Sequence, residues 1–144
     1  MKKIKKLNNG FTLLFAVVVA GMVLVAALGV YNIMLKEFKL SGFIKESQMA
    51  FYAADSGAEC VFYWDIKMRA ISTTTTSNIN CLNQTKSVGG ALVSSFNLTF
   101  DNGTCSTIII DKTNFPITIV KSYGYNTCDT SSSGRVERAV KTTY

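Results

Sequence analysis

The chain of 144 residues contains no histidine. That removes Ser-His-Asp and Cys-His nucleophilic catalysis, since no other side chain replaces the imidazole simply. It also removes the commonest nitrogen ligand for zinc, and the four cysteines supply no C-x-x-C pair. Structural zinc sites use closely spaced ligands, whereas these cysteines lie 21, 24 and 23 residues apart. No glycine-rich phosphate loop is present, because Gly89-Gly90 has neither the spacing nor the lysine that such a loop requires. Only one proline occurs, Pro116, so nothing upstream of it forces a helix to break. Charge is missing altogether from residues 7–35.

That charge-free stretch follows directly on Lys2, Lys3, Lys5 and Lys6. Its apolar core, residues 11–31, has the length needed to cross a hydrocarbon layer, about 20 helical residues. The lysines on one flank set the orientation, with the basic end in the cytoplasm and the remainder outside. A secretory signal peptide would have a shorter apolar core and a small-x-small cleavage site beyond it. Here the run is too long, and the plausible processing point, Gly10–Phe11, comes before it. The helix is expected to stay on the mature chain.

The formal net charge of +6 is largely a topology signal. Without the four leader lysines, 11 basic residues face 9 acidic ones, a net of +2. No basic stripe with interleaved aromatics remains, so no nucleic-acid contact is expected. From residue 36 the pattern turns amphipathic. Phe43, Ala50, Phe51, Ala54, Ala58, Val61 and Phe62 recur at helical intervals, with Glu46, Asp55, Glu59 and Asp65 between them. One continuous helix is expected over residues 11–68, roughly 85 Å long at 1.5 Å per residue.

Residues 70–80, with four consecutive threonines, read as an exposed loop. From Leu92 the period becomes two, and strands are expected over about 92–100, 105–111, 117–125 and 135–143. Asn102-Gly103 signals a hairpin between the first two. The head therefore reads as a four-stranded antiparallel meander whose apolar face covers the helix stripe, an α+β arrangement. A head of that size buries little core and needs reinforcement. Cys60, Cys81, Cys105 and Cys128 all fall on the exported side, which suits disulfides. Cys105 opens the second strand and Cys128 follows the third, so both lie at one edge of the sheet. The expected pairs are Cys60–Cys81 and Cys105–Cys128. The aromatic group Phe62, Tyr63 and Trp64 is read as packing under the sheet, and the Asp55/Glu59 pair as solvated helix-surface carboxylates.

The lysine-rich leader, Gly10, Phe11-Thr12-Leu13-Leu14 and the long apolar helix resemble the leader of type IV prepilins and pseudopilins. Residues 46–59 are similar to the end of the N-terminal region of PilX-like minor pilins. The resemblance covers about residues 1–65. It implies a pilin-like fold, cleavage after Gly10 by a prepilin peptidase, N-methylation of Phe11 and no cofactor. It implies packing of residues 11–35 against other pilin subunits, after a stay in membrane lipid. Phe15 stands where the family usually carries Glu, which favours a minor, tip-type subunit over a major one. The implied layout is a leader (1–10), a transmembrane or filament-core half-helix (11–35), an amphipathic half (36–68) and a β head (69–144). The implied location is the bacterial inner membrane, single pass with the N-terminus inside, and then a periplasmic or cell-surface filament. The competing expectation is an uncleaved, membrane-anchored extracellular binding domain. Neither reading is enzymatic.

Overall fold

The computed structural model describes residues 9–144, which form an α+β chain in two compact units divided between Gly42 and Phe43. Lys2, Lys3, Lys5 and Lys6 lie outside the described residues. Helix α1 (Asn9–Phe62) belongs to both units and continues into a π-helical turn, Tyr63–Lys67.

From Phe11 to Leu35 α1 carries no charge on any face, and each residue from 11 to 42 is exposed. Phe11 is 75% exposed and Val25 70%. A helix that is hydrophobic all round belongs in a core or a membrane, and this one is long and apolar enough to cross a bilayer. Its backbone bonds are all internal, which is what a hydrocarbon surrounding demands.

In the second unit α1 packs on a four-stranded antiparallel sheet. The strands are β3 (Val93–Thr99), β4 (Cys105–Asp111), β5 (Ile119–Tyr125) and β6 (Glu137–Thr143), in the spatial order β3-β4-β5-β6. The register pairs Phe96 with Ile108 and Ile108 with Ser122, which puts Phe96, Leu98, Ile108, Ile110 and Val120 on the buried face. Between β3 and β4 only Gly103 takes a positive φ. Asn102 instead accepts hydrogen bonds from the Thr104 backbone N–H and hydroxyl through Oδ1, at 3.1 and 2.7 Å.

Two expectations need correction. Residues 70–80 are not simply a loop. Strand β1 (Thr76–Cys81) pairs with β2 (Gln84–Gly89) in a separate hairpin that buries Ile79, Cys81 and Val88. One or two apolar side chains per strand are enough here, because the hairpin is also bonded covalently to the helix.

The second correction concerns the helix stripe. Ala50, Ala53, Ala54, Ala58 and Val61 are buried, while Phe43 and Phe51 are exposed. The sheet approaches α1 too closely for aromatics. A Cβ added at Gly124 would fall against the Ala50 carbonyl and the Ala54 backbone, and one added at Gly57 would meet Ser122 Oγ at 2.6 Å. Polar bonds also tie this stretch of helix to the far end of the sheet. Asn126 Nδ2 donates to Glu46 Oε2 at 2.8 Å and Arg138 Nε to Ser47 Oγ at 2.8 Å.

Candidate functional site

Gly10 and Phe11 sit in the first turns of α1, so the residues expected to flank a cleavage point have helical backbone. Phe15, one turn on, is 62% exposed. From residue 11 to residue 35 the helix offers no charged side chain and no buried one. What such a surface does chemically is limited and clear: it partitions into an apolar medium. About 25 cal/mol is gained per Å² of apolar surface removed from water.

In the head, the π-helical turn places Asp65 in the interior, where both carboxylate oxygens are used. Lys112 Nζ donates to Oδ1 at 2.5 Å and the Tyr144 hydroxyl donates to Oδ2 at 2.7 Å. Burial, reinforced by the bond to Asp65, holds the Tyr144 phenol above its ordinary range. Three distant segments meet here: the helix end, the β4–β5 loop and Tyr144. Sequence reading treats Asp65 as one more polar helix position, because nothing local marks its partners 47 and 79 residues away. The arrangement is a structural clasp.

Asp55 and Glu59 make no side-chain hydrogen bond or ion pair among the described residues, and no third titratable group joins them. Phe62 stacks edge-on with Tyr144, with ring centroids 5.5 Å apart. Tyr63 is 47% exposed and lies outside the core, whereas Trp64 is partly buried against it.

The cysteines divide into two kinds. Cys60 of α1 and Cys81 of β1 form a disulfide, with Cα atoms 5.9 Å apart. The expected Cys105–Cys128 disulfide is not formed; both are free thiols. The ladder sets Cys105 opposite Tyr125, three residues short of Cys128. The chain beyond Tyr125 turns back, and the Cys128 N–H donates to the Gly103 carbonyl at 3.2 Å. The two thiols therefore line the same small pocket. Burial first, and Cys128 second, push the Cys105 thiol up to about 12. Arg135 lies over the Tyr125 ring nearby, 3.8 Å from its centroid.

No family model matches this chain, and neither curated proteins nor solved structures give a significant match.

Proposed function

We propose that this chain is a minor-pilin- or pseudopilin-like structural subunit of a type IV pilus-type filament. The observation that carries the reading is the pairing of an all-round apolar, wholly exposed helix with Gly10–Phe11 at its head. A helix meant only as an anchor needs nothing special at its cytoplasmic edge. One that is to leave the membrane needs its basic leader removed, because Lys2, Lys3, Lys5 and Lys6 would otherwise hold it there.

In this reading the lysines fix the N-terminus inside. A prepilin peptidase then cuts between Gly10 and Phe11, and the new N-terminal residue is methylated. Residues 11–35 pass from membrane lipid into contact with other pilin subunits. Both surroundings are apolar, so the transfer costs little hydrophobic free energy. Phe15 fits a subunit that does not need a neighbour's amine as a partner. A charged residue there, left unpaired, would cost several kcal/mol in hydrocarbon. The head stays outside, in the periplasm or at the cell surface, and the Cys60–Cys81 disulfide suits that oxidising side of the membrane.

The test is a Gly10→Val variant expressed alongside a prepilin peptidase. It should retain its leader and run as the larger form on an immunoblot. Processing as efficient as that of the parent chain would overturn the proposal. Abundant filaments formed by this chain alone would overturn its assignment as a minor subunit.

A further inference from the structure

Where the helix meets the first hairpin, an open groove of about 320 Å³ lies beside the Cys60–Cys81 disulfide. Ser56, Glu59, Tyr63 and Trp64 line it from the helix side, and Asn80 and Leu82 from the hairpin. Three independent features mark it as more than a surface crease.

The first is backbone geometry on both walls. The helix changes to a π-turn at Tyr63, with the Met68 N–H donating to the Tyr63 carbonyl at 3.1 Å. Single π-turns are rare and recur at functional sites. Across the groove, Leu82 and Asn83 form the β1–β2 turn with φ of 51° and 62°. Such turns favour Asn-Gly or Asp-Gly, and a bulky residue at positive φ is strained. The chain nevertheless places leucine there and leaves it 57% exposed. Strain kept without a packing return points to a use for the side chain.

The second is a fixed aromatic wall. Trp64 Nε1 donates to the Asn80 carbonyl at 3.0 Å, and the disulfide ties the same two segments together. The Tyr63 and Trp64 rings meet edge-to-face with centroids 5.6 Å apart. Tyr63 is 47% exposed, and Lys67 Nζ lies 5.4 Å from its ring centroid, over one face of the ring.

The third is uncommitted polar capacity. The Ser56 hydroxyl, the Glu59 carboxylate and the Asn80 side-chain amide border the groove and make no side-chain hydrogen bond or ion pair among the described residues.

The geometry points to a carbohydrate-binding site that takes one neutral or amino-sugar unit of a glycan. A pyranose ring has a C–H face that stacks on the negative face of an aromatic ring. Its hydroxyls are donors and acceptors suited to the carboxylate, amide and hydroxyl on the rim. Leu82 covers the edge of the bound ring, and the single carboxylate disfavours acidic sugars. The site lies wholly within residues 56–82, and the inference does not rest on the proposed processing or assembly of the chain.

The test uses the full chain held in a carbohydrate-free amphipathic polymer. Trp64, the chain's single tryptophan, serves as the fluorescent reporter. Cellobiose, lactose, chitobiose and glucosamine are the probes, with glucuronic acid and sorbitol as controls. At least one probe should shift the emission saturably, with a Kd on the order of 1 mM. Glucuronic acid should bind about tenfold more weakly or not at all, and sorbitol should give no saturable response. Tyr63→Ala should weaken binding roughly tenfold, the scale of one lost stacking contact. Leu82→Gly separates function from folding. Glycine suits the positive φ, so thermal stability should hold or rise while affinity falls. No saturable response to any of the four sugars overturns the inference. So does a response that survives Tyr63→Ala and Leu82→Gly undiminished, or one that sorbitol reproduces.

Discussion

Replacing Gly124 with alanine probes the contact that holds α1 on the sheet. Gly124 lies in β5 opposite Ser106, and its Cα faces the helix between Ala50 and Ala54. A Cβ there would overlap the Ala50 carbonyl oxygen and the Ala54 nitrogen, and would stand 2.9 Å from the Ala54 Cα. All three are backbone atoms, so no rotamer change relieves the clash. Restoring ordinary contacts of about 3.5–4 Å means separating helix and sheet by roughly 1.5–2 Å. That gap loosens the packing of Ala50, Ala53 and Ala54 together. Overpacking of this kind costs about 1–3 kcal/mol, and a clash fixed in backbone on both sides belongs at the upper end. For a domain of about 100 residues, ~3 kcal/mol lowers Tm by roughly 12–24 °C. Gly57→Ala is the internal control. Its new Cβ would meet Ser122 Oγ at 2.6 Å, Ile108 Cγ1 at 2.9 Å and Ser106 Oγ at 3.0 Å, all side-chain atoms, and both hydroxyls can rotate. Alanine also gains up to about 1 kcal/mol of helix propensity over glycine. Thermal melts of both variants of the full chain, followed by near-ultraviolet circular dichroism, should show Gly124→Ala far less stable than Gly57→Ala. Equal melting temperatures, or the reverse order, would refute the close-approach argument.

Three further outcomes follow from the same structure. Replacing Cys60 and Cys81 together with serine frees a 21-residue separation and should cost about 3 kcal/mol, read as a lower denaturant midpoint with a steeper slope, because the unfolded chain is then less compact. Asp65→Asn leaves the Lys112 ammonium without its counter-charge at a buried site and should cost about 3–5 kcal/mol, whereas adding Lys112→Met should restore part of the loss. The Cys105 thiol and the Tyr144 phenol both have folded pKa values raised above their ordinary 9.0 and 10.0. Their contribution is therefore fully present below about pH 9 and lost as pH rises toward 12. Stability measured across that window should fall, and Cys105→Ser should flatten the early part of the decline. A flat profile in the parent chain would contradict the burial of these groups.

Much of this fold is legible in periodicity. The uniform apolar run and the absence of proline before residue 116 mark the helix. The alternation through Phe96 and Leu98, through Ile108 and Ile110, and through Val120 and Ser122 marks a meander. The strand ends are less legible because they depend on partners. Thr118 exchanges backbone bonds with Tyr144 just before β5 begins, and Arg135 stacks on Tyr125 before β6 begins.

The first hairpin hides in a Ser/Thr-rich stretch, since Ile79 is the only large apolar side chain in β1 and Val88 the only one in β2. Its turn carries Leu82-Asn83 in place of a glycine-containing pair, so the usual signal is missing. The small-residue face of α1 is visible as Ala50, Ala53, Ala54, Gly57 and Ala58. It is easily misread, because Phe43 and Phe51 dominate any hydrophobic count. The Asp65 clasp depends on contacts across 47 and 79 residues, which no local pattern encodes. The candidate processing point, by contrast, is a matter of neighbouring residues alone, which is why Gly10 and Phe11 stand out in the sequence and gain no added definition from the fold.

The most direct test of the proposed role is the mass of the mature N-terminus, taken from the chain isolated in its own membrane. The subunit reading predicts a polypeptide that begins at Phe11 and carries a methyl group on its amine. An intact Met1, or a terminus beyond the apolar helix, would contradict it.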